Sequence, residues 1–274
     1  MIEGLLAIVA VYLVVVVGMY SFQRKLLFIP NRTVPHPETS DVPEMSIARY
    51  PTVDKLMLNS WFRSPPVSGG PVLVYFHGNA GHIGDRGSKV RPFLDAGFGV
   101  LLASYRGYGG NPGRPSEKGL LTDGEAALAF LDRQGVDRSR VILYGESLGG
   151  GVAVALASRT RIGAVVLEAP FTSVVDVGAA AYPWAPVRLA MRDRFDSLSR
   201  IPDVSAPIVM VHGELDRTVP IGLGRRLLAA APEPKRAHFF PYAGHTDLHD
   251  HGAVPAIMAF LARHDLGPER KKRD

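Results

Sequence analysis

A chain of 274 residues, 46% of them apolar, is long enough for one large α/β domain or two small ones and can fill a sizeable core. It holds no cysteine, which excludes disulfides, thiolate nucleophiles and cysteine-ligated zinc but leaves the compartment open. Part of the net charge of +5 sits at Arg24, Lys25 and Arg32 and part at the C-terminal end; these form no aromatic-basic stripe of the kind that binds nucleic acid, so no nucleic-acid partner is expected.

From Gly4 to Tyr20 the chain reads GLLAIVAVYLVVVVGMY, without a charge. With Ile2, Ser21 and Phe22 it approaches the roughly 20 residues of a bilayer-crossing helix, so 1–22 is read as an uncleaved N-terminal membrane anchor. A cleaved signal peptide would begin with basic residues and end at a small-x-small site, whereas this chain begins Met1-Ile2-Glu3. A buried core helix would not carry an unbroken valine run at 14–17 with no polar face. Arg24 and Lys25 follow the span and no Lys or Arg precedes it, which places the large domain on the cytoplasmic face. Residues 23–50 form a juxtamembrane collar, and 51–266 the folded domain.

Short, wholly apolar runs then alternate with helical periodicity. Strands are expected at Pro71–Phe76, Phe98–Ala103, Val141–Tyr144, Ala164–Leu167, Pro207–Val211 and His238–Phe240, and helices at Ser116–Arg133, Leu148–Ser158, Ile221–Ala231 and Ala253–Arg263. Such alternation indicates an α/β fold, a mostly parallel sheet covered by helices on both faces. The interval 171–204 breaks the rhythm with Tyr182-Pro-Trp-Ala-Pro186 and is too long for an ordinary connection, so it is read as a small lid insertion. Residues 267–274 read as a solvated basic tail that can also attract anionic lipid.

The chemistry centres on Gly145-Glu-Ser147-Leu-Gly149, a G-x-S-x-G placed directly after a strand and before a helix, as a nucleophile elbow requires. A serine needs a base and the base an orienting acid. His212-Gly-Glu-Leu-Asp216 and Ala243-Gly-His245 follow two later strands, in the order Ser, acid, His. Ser147 is the candidate nucleophile, His245 the base and Asp216 the acid, with Glu214 and Glu168 as alternative acids. His212 precedes the acid and reads as a strand-end residue. His77-Gly78-Asn79 follows the first clear strand; Asn79 and Leu148 are the candidate backbone donors of an oxyanion hole, and His77 orients that loop. The cluster His245-Thr-Asp247-Leu-His249-Asp-His251 is rich in metal-ligand types, but its spacing matches no common zinc site, so no metal is assigned.

HGNAG, SYRGYGGNPGRPSEKGL, GESLGG, EAPFTS, VHGELDRTVP and AGHTD together resemble the Bem46-like α/β hydrolases, which include proteins of the ABHD12, ABHD13 and ABHD17 type; the resemblance spans roughly 22–264. It implies an α/β-hydrolase fold, a triad of Ser147, Asp216 and His245, oxyanion donors at Asn79 and Leu148, and membrane-linked hydrolysis of esters or thioesters, with lipids or acylated proteins as substrates. The expected function is therefore a membrane-anchored serine hydrolase needing no cofactor, with Tyr182, Pro183, Trp184 and Met191 as an apolar acyl wall. Two other functions remain in view. A serine peptidase of the same fold would use Asp176, Asp193 or Asp196 to hold a substrate amine, and a non-catalytic scaffold would have a damaged triad.

Overall fold

The computed structural model describes residues 2–267; apart from Gly267, the basic tail read at 267–274 lies outside the described residues. α1 (Ile2–Leu27) is one helix of 26 residues, by length and composition able to cross a membrane. It continues five residues past the expected end of the anchor, because Gln23, Arg24, Lys25, Leu26 and Leu27 are all good helix formers. The first part of the expected collar is thus helical.

A single eight-stranded sheet organises the rest. Its strands are β1 (Ser46–Pro51), β2 (Met57–Arg63), β3 (Val72–Phe76), β4 (Gly99–Ala103), β5 (Val141–Glu146), β6 (Ala164–Glu168), β7 (Ile208–Gly213) and β8 (Lys235–Phe240). The spatial order is β1-β2-β4-β3-β5-β6-β7-β8. β2 is antiparallel to both neighbours and every other pair is parallel.

The β1–β2 hairpin lies at one edge, inside or just after the expected collar, and was not among the expected strands. Edge strands need only one apolar face: β1 buries Ala48 and Tyr50 but leaves Ser46, Ile47, Arg49 and Pro51 in solvent, so no continuous apolar run marks it. By contrast all five residues of β3, β4 and β6 are buried, as parallel strands covered on both faces must be.

α2 (Gly87–Ala96) and α9 (Ala253–Arg263) cover one face of the sheet. α3 (Glu117–Arg133), α4 (Leu148–Ala157) and α8 (Ile221–Ala230) cover the other. α2 escapes a sequence reading because Gly87 and Pro92 lie in it and both are poor helix formers. The lid interval holds α5 (Val174–Ala181), α6 (Val187–Ala190) and α7 (Ser197–Arg200). Each is too short to be stable alone, and they lean on α4, on one another and on α1.

Candidate active site

β5 does not stop at Tyr144 but continues to Glu146, and α4 begins at Leu148. Ser147 must therefore reverse the chain alone, and it does so at φ 50°, ψ −113°. A non-glycine residue held there stores of order 1–3 kcal/mol of strain. The flanking glycines permit the turn. A Cβ on Gly149 would overlap the carbonyl of Phe76, and one on Gly145 would run into the backbone of Gly149 and Gly150. Gly149→Ala is therefore expected to lower stability by about 1–3 kcal/mol through overpacking, read as a fall in the denaturation midpoint. A variant as stable as the parent would mean that α4 has room to move.

Three loops at the carboxyl ends of strands bring the predicted groups together. His245 Nε2 lies 3.1 Å from Ser147 Oγ, and His245 Nδ1 lies 2.7 Å from Asp216 Oδ2. The short contact to a carboxylate assigns the ring proton to Nδ1, leaving Nε2 free to accept the serine proton. Asp216 Oδ1 accepts from the N–H groups of Thr218 and Val219, each at 2.8 Å. Burial pushes the Asp216 carboxyl up, but hydrogen bonds from His212, His245 and Val219 outweigh it and hold the group well below the carboxylate range. Asp216 is thus ionised at neutral pH and suited to stabilise an imidazolium. The chain can take a proton from Ser147 and hold a positive charge beside it.

Neither alternative acid pairs with His245. Glu214 pairs with Arg225 at 2.9 Å in solvent. Glu168 is fully buried, its carboxylate taken by Lys89 at 2.5 Å and by Tyr144 Oη at 2.6 Å, while its backbone oxygen accepts the Ser147 N–H at 2.8 Å.

Among the described residues the backbone N–H groups of Asn79 and Leu148 have no hydrogen-bond partner. Leu148 is the first residue of α4, where N–H groups are free by geometry and favour negative charge. The loop carrying Asn79 is held from below: Tyr108 Oη donates to Asn79 O at 2.8 Å, Tyr105 Oη donates to His77 O at 3.2 Å, and the ring of His77 lies against both tyrosines. Burial and the nearby Arg86 charge push His77 down to about 4, so it is neutral and packs as an aromatic.

Two supports escaped the sequence reading. His212, wholly buried, donates from Nε2 to Val219 O at 3.0 Å and lies 3.2 Å from Asp216 Oδ2; only its four-residue spacing from the acid hinted at this. His212→Ala is expected to cost about 1–3 kcal/mol, because Val219 O is left buried and unpaired, and a denaturant titration reads it. The other support is His249, which the sequence offered only as a metal-ligand type or a surface residue. Its Nε2 meets Tyr144 Oη at 3.1 Å and ties the loop bearing His245 to the sheet. Asp247 accepts from the Gly244 N–H at 2.7 Å and so folds that loop.

The sheet order, the elbow and the three loops define an α/β hydrolase. The comparisons agree: the alpha/beta hydrolase fold family matches residues 71–199. The fission-yeast (Schizosaccharomyces pombe) protein bem46 is 32% identical, the alignment covering 95% of this chain and 93% of that one. An uncharacterized protein of Mycobacterium tuberculosis is 42% identical over 93% of this chain and 94% of its own. Among solved structures, an esterase of Pyrococcus furiosus superposes with a TM-score of 0.70 at 17% identity, over 86% of this chain and 98% of the esterase. The chain belongs to the Bem46-like α/β hydrolases.

Proposed function

We propose that this hydrolase is a membrane-anchored serine enzyme that cleaves carboxylic ester or thioester bonds of acyl substrates through an acyl-enzyme intermediate. The observation that carries the reading is the unbroken hydrogen-bonded series Ser147–His245–Asp216. Ser147 Oγ attacks the acyl carbonyl carbon while its proton passes to His245 Nε2. The developing oxyanion sits between the N–H groups of Asn79 and Leu148, each such donor contributing about 3 kcal/mol. His245 then gives its proton to the leaving oxygen or sulfur as that bond breaks. Water attacks the acyl-serine, His245 takes the water proton, and the acid leaves as Ser147 recovers its hydrogen. Side chains and water supply every group, so no cofactor is needed.

α1 serves as the anchor in this reading, and Arg24 and Lys25 in its last turn favour the cytoplasmic face for the domain. The peptidase alternative needs a free acid for the substrate amine, and the three candidates are engaged. Asp176 accepts from Thr172 and Arg188, Asp193 from Arg24 and the Glu117 N–H, and Asp196 caps α7 through the Ser199 N–H. A scaffold would have no reason to keep a strained serine aligned with a base. A fluorophosphonate probe is expected to modify the full chain once, at Ser147 by peptide mapping. A detergent-solubilised full chain that takes no label and hydrolyses no aryl ester sinks the reading.

A further inference from the structure

An apolar cavity of about 240 Å³ lies between α1 and the lid. Val16 and Met19 of α1 form one wall, Ala181 and Met191 of the lid the opposite one, and the cavity reaches Asn79. Among the described residues no Asp, Glu, His, Lys or Arg lines it. Of the four residues expected to form an acyl wall, Tyr182 and Met191 do line the cavity, whereas Pro183 and Trp184 do not, and Trp184 packs edge-on against Tyr12 of α1.

The anchor is clasped to the lid by directional contacts. Arg24 Nε and Nη2 donate to the two carboxylate oxygens of Asp193 at 2.7 and 3.2 Å. The Gln23 side chain donates to Ala190 O at 3.3 Å and accepts from the Arg192 N–H at 2.8 Å, and Tyr12 Oη donates to Trp184 O at 3.1 Å. A helix that only tethered the domain would need none of these.

We propose that the cavity holds the acyl chain of a bilayer lipid, drawn sideways between α1 and the lid so that its ester carbonyl arrives at Asn79 and Ser147; the anchor is then a wall of the substrate site. This rests on the serine-hydrolase reading above. Val16 and Met19 belong to the charge-free run, so the outer part of the cavity lies at membrane depth, while Asn79 carries a candidate oxyanion donor. A chain moving between the two never exposes its methylenes to water, which is the costly step in extracting a lipid. Arg24, Lys25 and Arg192 collect where the charge-free run ends, at headgroup level, and Arg192 stacks 4.3 Å over the Tyr20 ring. That placement suits a lipid whose polar end stays at the surface.

The test uses the full chain in phosphatidylcholine vesicles, with a hexadecanoyl lysophospholipid and a water-soluble acetyl ester as substrates. Met19→Trp fills the cavity from the anchor side. Val14→Trp, at a position 72% exposed on the same helix, adds the same bulk facing outward. Met19→Trp is expected to lower the ratio of kcat/KM for the long-chain lipid to that for the acetyl ester at least about tenfold, and Val14→Trp to hold it within about twofold. An unchanged ratio in Met19→Trp, or an equal fall in both variants, overturns the proposal. So does a tenfold preference for an S-hexadecanoyl peptide in the same vesicles that ignores Met19. Fluorophosphonate labelling of each variant separates the readings: a labelled chain whose ratio ignores Met19 loses only the cavity, and an unlabelled parent chain loses both.

Discussion

Ser147→Ala is expected to lower kcat/KM for an acyl ester by about 10⁵- to 10⁶-fold and to abolish fluorophosphonate labelling, with stability held within about 1 kcal/mol. The activity falls because nothing else in the site can attack. In the proposed mechanism the N–H groups of Asn79 and Leu148 and the imidazole of His245 all act on a carbonyl that Ser147 has already engaged. Stability holds because the removed oxygen makes one side-chain hydrogen bond, to His245 at 3.1 Å, at the half-exposed end of the series. The left-handed backbone at position 147 is imposed by the strand ending at Glu146 and the helix starting at Leu148, and alanine inherits it unchanged. Residual hydrolysis above about 1% of the parent, in protein free of contaminating esterase, would show that Ser147 is not the nucleophile.

What the sequence made legible was what chemistry and burial constrain locally. β3, β4 and β6 could be read because a strand covered on both faces has no choice but an apolar run. The elbow could be read because Gly145 and Gly149 are required by close backbone approach. Ser147, Asp216 and His245 could be nominated because each falls just past a strand end and in an order the fold dictates. The hidden parts depend on partners far apart in the chain. Lys89 meets Glu168 across 79 positions, and Lys89 sits in a helix that its own glycine and proline disguise. Glu146 looked like the variable position of the motif, yet it accepts from Tyr75 Oη at 3.0 Å and Arg86 Nε at 2.8 Å. The cavity between α1 and the lid was equally illegible, since an anchor and a lid are each ordinary features and only their docking makes a site.

The largest stability effect is expected from Lys89→Met. Glu146 and Glu168 end neighbouring strands in register, so two carboxylates stand side by side next to Ser147. Lys89 Nζ bridges them at 3.6 and 2.5 Å, and Arg86 holds the far side of Glu146. Burial pushes both carboxyls up, but the charges of Lys89 and Arg86, with His249 beside Glu168, pull them net below the ordinary range, Glu168 to about 2. Without Lys89 the two carboxylates repel each other in a dry pocket, and breaking such a pair costs about 3–5 kcal/mol at neutral pH. The pH dependence carries the sign. In the parent, carboxyls depressed on folding contribute stability that is full above the unfolded value of about 4.3 and fades as pH falls towards 2. In Lys89→Met burial and mutual repulsion raise the pair instead, so folding takes up a proton and the deficit shrinks as pH falls from 7 towards 5. Denaturation midpoints of both full-length proteins in detergent, taken from pH 8 to pH 4, should therefore converge on the acid side. Parallel curves, or a loss under about 1 kcal/mol at pH 7, would mean that Arg86 and the two tyrosines already satisfy both carboxylates and that Lys89 is dispensable to the pair next to Ser147.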